Sequence, residues 1–264
     1  MKTKQQQTNG IKSHSFKRSV YCAILAITLS AFSLAPAHAQ VKNIVLVHGA
    51  WADGSGWQAV YKILTAKGYN VAIVPSPNTS LAEDVKATRA ILAQQKGGVI
   101  LVGHSYGGAV ITQAGDTSNV KGLVYVAAFA PDAGESLFKM QKAGPPNPTS
   151  GAYVQNGYVW YDKAKFHKDF CADLSASEAA FMAASQVPAG LAAFATDLTV
   201  AAWRTKKSWY IVAKNDRMIP PAIERMMAKR AGAKITEIAS SHVVFISHAA
   251  EVAAIIEQAA NASK

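Results

Sequence analysis

Val99-Ile100-Leu101-Val102-Gly103-His104-Ser105-Tyr106-Gly107-Gly108 decides the reading of this chain. Its first four residues are an apolar run of strand length, and the segment from Gly107 to Ala114 has helical character, so Ser105 falls at the tip of a strand–turn–helix junction. A serine there sits on a strained backbone, and the residues two before and two after it must be small to avoid collision. Gly103 and Gly107 meet that need. A phosphate-binding loop would carry Gly-Lys-Ser/Thr, which is absent. Ser105 is therefore the candidate nucleophile.

Working outward, short apolar runs alternate with helical segments. Val41 to Val47, Val71 to Val74, Val99 to Val102, Leu123 to Ala127, Trp209 to Ala213 and Ile235 to Ile238 read as strands. Trp57 to Lys67, Leu81 to Gln95, Gly107 to Ala114, Pro221 to Arg230 and Ala249 to Ala260 read as helices, the fourth opened by Pro220-Pro221. Such alternation predicts an α/β fold with a mainly parallel sheet flanked by helices. It breaks once. From about residue 131 to 204 the strand signals fade into Ala, Gly, Pro and aromatic residues, which predicts a mostly helical insertion lying over the sheet as a cap.

Residues 1–39 have a different character. Lys2, Lys4, Lys12, Lys17 and Arg18 make a basic start without an acid, Val20 to Leu34 is apolar and short, and Ala37-His38-Ala39 offers a cleavage site. This predicts a cleaved signal peptide, a domain over residues 40–264, and an exported product, periplasmic or secreted, without stable membrane association after processing. Of the 2 cysteines Cys22 leaves with the signal, so Cys171 has no intramolecular partner. The formal charge of +11 shrinks with the five basic residues lost, and no run of five basic residues remains, which argues against a nucleic-acid site.

A serine hydroxyl needs a base and a group that orients it. His242 follows the last expected strand and Asp216 the penultimate one, so the order serine, acid, histidine is kept at one edge of the sheet. Asp132, one strand earlier, competes as the acid, and His248, at the start of the final helix, competes as the base. His104 reads as support for the elbow, His48 as a brace for the neighbouring loop and His167 as a surface residue. Acyl transfer also needs amide donors for the oxyanion; Tyr106, beside the nucleophile, and Ala50, after the turn His48-Gly49, are the candidates.

Val-His-Gly-Ala-Trp at 47–51, Gly-His-Ser-Tyr-Gly-Gly at 103–108, Asn-Asp-Arg-Met-Ile-Pro at 215–220 and Ser-His-Val-Val-Phe at 241–245 resemble small bacterial serine esterases of the α/β-hydrolase superfamily. They also resemble its plant methylesterase and hydroxynitrile lyase branch. The resemblance implies an α/β-hydrolase fold, a carboxylic ester hydrolase without cofactor or metal, a small-molecule ester as substrate, and the triad Ser105, Asp216 and His242. It favours Asp216 over Asp132. The lyases carry threonine where Gly49 stands and lysine where Val243 stands, so cyanohydrin cleavage is disfavoured. Ser105 likewise argues against the epoxide hydrolases and dehalogenases that use aspartate there. Lactonase or cofactor-free perhydrolase activity, and a slow ligand receptor on the same fold, stay open as alternatives. Tyr153, Tyr158, Trp160, Tyr161, Phe166, Phe170, Phe181 and Met182 make the insertion an apolar source of pocket walls. Trp51 and Trp160 are the candidate substrate contacts.

Overall fold

The computed structural model describes residues 1–3, 40–143 and 150–263. The chain divides into two units, Met1–Ala37 and His38–Lys264. The signal-peptide reading falls almost wholly outside the described residues, and every described helix and strand belongs to the second unit. Among the described residues no helix is long and apolar enough to cross a membrane.

In chain order the elements are β1 (Asn43–Val47), α1 (Gln58–Ala66), β2 (Asn70–Ile73), α2 (Leu81–Ala93), β3 (Val99–Ser105), α3 (Gly107–Ala114) and β4 (Val120–Ala128). Next come α4 (Leu137–Ala143), β5 (Ala152–Gln155), β6 (Tyr158–Tyr161), α5 (Lys163–Phe170), α6 (Ala176–Ala184), β7 (Ala189–Gly190) and α7 (Leu191–Ala195). The chain ends with β8 (Lys207–Ala213), α8 (Pro221–Arg230), β9 (Lys234–Ile238), α9 (Val244–Ser247) and α10 (Ala249–Ala262). Six strands form one sheet in the order β2-β1-β3-β4-β8-β9, with every pair parallel. Parallel strands covered on both faces must be apolar throughout. Accordingly β1 and β3 are buried along their whole length, whereas the edge strands β2 and β9 are partly open.

Sheet growth reverses at β1, which pairs with β2 on one side and β3 on the other. Crossovers of one hand then put α1 and α2 on opposite faces, where α1 packs on α10 and α2 on α3. The loops after β1 and β3 diverge at this reversal, and the gap between them is where an open parallel sheet offers a ligand crevice. Ala50 lies on the first of those loops and Ser105 ends β3 where the second begins.

Between β4 and β8 the cap departs from the helical expectation in one respect. It contains a second sheet, antiparallel, in the order β5-β6-β7. Asn156 and Gly157 turn its hairpin with φ of 51° and 78°, the left-handed pair that a two-residue turn demands. Val154 and Tyr153 are exposed while Val159 and Tyr161 are buried, so the hairpin packs one strand inward.

Candidate active site

The turn after β3 is built by exclusion. Ser105 has φ 54°, in the left-handed region that costs a residue with a Cβ on the order of 1 kcal/mol or more. A Cβ on Gly103 would come within 2.5 Å of the Gly107 carbonyl oxygen, and one on Gly107 within 2.6 Å of that of His48. Glycine at both places lets strand, turn and helix close tightly on one another. The Ser105 carbonyl accepts from the Phe129 amide at 3.1 Å, which ties the strained residue to the end of β4.

His242 lies in the loop after β9 and is fully buried. Its Nδ1 is 2.5 Å from Asp216 Oδ2, and the other Asp216 oxygen accepts from the amides of Met218 (2.6 Å) and Ile219 (2.9 Å). With Nδ1–H donated to the carboxylate, the Nε2 lone pair is free, and Nε2 is buried with no hydrogen-bond partner among the described residues. His104, the residue before Ser105, puts its ring 4.6 Å from that of His242, and its Nε2 is 3.0 Å from the His242 carbonyl oxygen. The elbow and the histidine loop are thereby in direct contact. Burial, followed by the neighbouring His242, holds His104 well below the usual histidine range, so it is neutral and donates to that carbonyl.

The competing candidates are placed elsewhere. Asp132 is paired with the Arg204 guanidinium, at 2.8 Å from Nε, and His248 pairs with Glu251 at 3.0 Å on the surface. His48 is buried with Nδ1 3.0 Å from the Gly49 carbonyl, bracing its own loop. His167, expected at the surface, is half-buried and lies 3.0 Å from the Leu174 carbonyl.

Ser105, Ala50, Tyr106 and Trp51 share a cavity of about 240 Å³. The amides of Ala50 and Tyr106 donate to no other described residue; that of Tyr106 stands at the start of α3, where amides lack partners within the helix. The Tyr106 hydroxyl is anchored 2.6 Å from Asp84 Oδ2, so its ring stands fixed as a wall. Trp51 also has positive φ, 60°. Its amide donates to the Val187 carbonyl at 2.8 Å and its indole to that of Val159 at 2.9 Å, which fastens the loop after β1 to the cap.

Trp160 does not line this cavity, contrary to the expectation for it; Tyr161 does. Successive residues of a strand point to opposite faces, and β6 turns Tyr161 inward. Of the other apolar cap residues, Phe181 and Met182 line a separate groove, whereas Phe170 packs edge-on against the His242 ring at 5.1 Å. The sequence reading missed Phe194, Met140, Met218 and Ile223 among the cavity walls. Met218 was signalled by its place two residues after Asp216; Phe194, in an alanine-rich run, carried no signal.

A second buried carboxyl stands behind Asp216. Glu224 of α8 accepts from the Ala213 amide at 3.2 Å and is fully buried. Burial first, then the neighbouring Asp216, pushes its carboxyl well above the usual range, which favours the protonated form of Glu224.

The sequence model of the alpha/beta hydrolase family matches residues 44–255. A carbendazim hydrolyzing esterase from Nocardioides sp. (strain SG-4G) is 37% identical over 126 residues, which cover 42% of this chain and 52% of that protein. The alignment thus spans about half the length of that relative. Among solved structures, a pyrethroid hydrolase from Sphingobium faniae JZ-2 superposes with a TM-score of 0.71 at 22% identity, covering 84% of this chain and 98% of that one. Polyneuridine aldehyde esterase superposes with 0.71 at 19% identity, covering 83% and 99%. At these identities the superpositions speak for the fold.

Proposed function

The chain belongs to the alpha/beta hydrolase family, and from that premise we propose that it is an exported serine hydrolase that cleaves carboxylic esters of small apolar or aromatic compounds. The observation that carries this reading is the buried His242, oriented by Asp216 through Nδ1 and left with a free Nε2 in the loop packed on the Ser105 elbow. The similar protein named as a carbendazim hydrolyzing esterase supports ester hydrolysis as the reaction class. Export rests on the basic start, the apolar run and the Ala37-His38-Ala39 site.

In the reaction, His242 Nε2 takes the Ser105 proton as the hydroxyl oxygen attacks the ester carbonyl. Asp216 fixes the tautomer and stabilises the imidazolium that forms. The carbonyl oxygen becomes an oxyanion facing the free amides of Ala50 and Tyr106. Collapse expels the alcohol, which leaves with the proton from His242, and the acyl group remains on Ser105. Water, deprotonated by His242, then attacks the acyl-enzyme, and the acid departs as Ser105 regains its proton. The cavity is smaller than the roughly 300–1,000 Å³ common for ligand sites, which suits short acyl groups or a single ring.

The mature protein incubated with p-nitrophenyl esters of rising acyl length should turn over the short ones. Ser105→Ala should lower kcat by on the order of 10⁴–10⁶ with the melting temperature preserved. Ester turnover retained by that variant would remove the reading.

A further inference from the structure

Resting on that reading, we propose that Asp173, a residue of the cap, is a positioning residue that holds the His242 loop in its reactive place. Asp173 lies between α5 and α6 and reaches across to the core loop. Its Oδ2 accepts from the Ser240 hydroxyl (2.7 Å), the Ser241 amide (3.0 Å) and the Ser247 hydroxyl (2.8 Å). Its Oδ1 accepts from the Ser241 hydroxyl. One carboxylate thus takes four hydrogen bonds from three serines that lie on both sides of His242.

The core holds the same loop through Asp216, which takes the His242 ring, and through two contacts to its backbone. Asn215 donates its amide to the Ser240 carbonyl at 3.0 Å, and His104 donates to the His242 carbonyl. The Ser241 amide, one residue before the histidine, has its partner in Asp173. The Ser240 hydroxyl has further partners in the Ser241 carbonyl and the Ser247 hydroxyl, but Ser241 is buried and its amide and hydroxyl have Asp173 alone, so losing the carboxylate strands both and the loop must shift to satisfy them. Burial works against the Asp173 charge, but the hydrogen bonds from Ser241, Ser240 and Ser247 outweigh it and hold the carboxyl below its usual range. The clamp is therefore formed throughout the neutral range.

Two further contacts show that the cap is seated on this side of the site. Arg217, next to Asp216, donates to Asp169 at 2.9 Å, and Phe170 covers the His242 ring. Asp173 does not line the catalytic cavity. Its loss should therefore act on the histidine and leave the binding walls in place, which separates it from a specificity residue and from a merely stabilising one.

On p-nitrophenyl acetate, Asp173→Ala should lower kcat about 10- to 100-fold, the scale of a displacement of about 1 Å in a catalytic group, with KM within about twofold. Asp173→Asn keeps an acceptor and adds donors that the serine hydroxyls can accept, so it should recover to within about threefold of wild type. A folded Asp173→Ala with unchanged kcat, a loss confined to KM, or an Asn variant no better than Ala would overturn the proposal. If the Ala variant does not fold, Ser241→Ala decides instead: a several-fold loss in kcat supports the clamp and an unchanged kcat overturns it. Ser105→Ala runs beside them; if it keeps wild-type turnover, the functional reading falls and this inference with it, whereas a dead Ser105→Ala with an indifferent Asp173 sinks the clamp alone.

Discussion

Ser105, Asp216 and His242 stand at the carboxyl ends of β3, β8 and β9 of one sheet, whereas Met140, Tyr161 and Phe194, which wall the cavity beside Ser105, come from three elements of the cap. The first set is placed by strand register. β4 pairs with β3 and β8, and β9 with β8, so residues more than a hundred positions apart are brought to one edge by backbone hydrogen bonds that any apolar strand can make. The second set is placed within the cap, by packing and by its own small sheet: Phe194 stacks on Tyr106 at 5.8 Å and on Phe138 at the same distance, and Tyr161 on β6 donates its hydroxyl to Asp169. On the proposed reading the difference separates two tasks. Groups fixed by the main sheet carry the chemistry, and groups fixed within the cap shape what enters.

The sharpest way to break that division is to exchange the two acids that competed for one role. Asp216→Asn should lower kcat by about 10⁴, because the amide favours the wrong histidine tautomer while leaving the geometry intact. Asp132→Asn only disturbs a surface ion pair with Arg204, of a kind worth well under the cost of losing a catalytic group, and should leave kcat within about twofold. Steady-state kinetics on the two variants decide it. Similar losses in both would mean that the sheet edge does not select its acid as the geometry implies.

A smaller effect is expected from the cap. Phe194→Ala opens the cavity wall without touching the triad, so kcat/KM for the shortest acyl esters should fall about tenfold while longer or branched acyl groups gain relative to them. Trp160→Ala, on the opposite face of β6 from Tyr161, should leave the acyl profile unchanged. An acyl-length series read for both variants tests whether the walls lie where the cavity puts them. Loss of turnover on every ester alike in Phe194→Ala would show the cap taking part in the chemistry after all.

The sequence was legible where the backbone does the placing. Gly103 and Gly107 announced the tight turn because nothing larger fits, and the short apolar runs announced the strands because both faces of the sheet are covered. Even there the limits shifted: β3 runs on to Ser105 and β4 from Val120 to Ala128, since register with a neighbour extends a strand past its apolar run. The cap was less legible. Its hairpin carried a sign in Asn156-Gly157, but β5 and β6 are only four residues long and do not alternate cleanly, so the sign stood without strands to flank it. Phe194, Asp173 and Trp160 differ in role through contacts with distant residues, and no local pattern distinguishes an aromatic facing the cavity from one facing away.

Glu224 breaks the division from the other side, being a core residue that no pattern in the sequence marked. It stands among Asp216, Tyr210 and its own neighbour Arg225, and because burial and the Asp216 charge raise its pKa in the folded state, the folded protein holds a proton that the unfolded chain releases above the usual carboxylate value near 4.5. Its contribution to stability is then complete at pH 4 and is lost as the pH rises toward the raised folded value, since the native state binds more protons than the unfolded one. Gln has the same shape, accepts from the Ala213 amide, donates toward Asp216 and never ionises. Glu224→Gln should therefore keep kcat within about threefold while its melting temperature, relative to wild type, rises as the pH climbs from about 5 toward the raised folded value and levels off beyond it. A melting difference that does not change with pH would mean that Glu224 carries the same charge folded and unfolded, and that the single charge behind His242 is not secured by keeping its neighbour neutral.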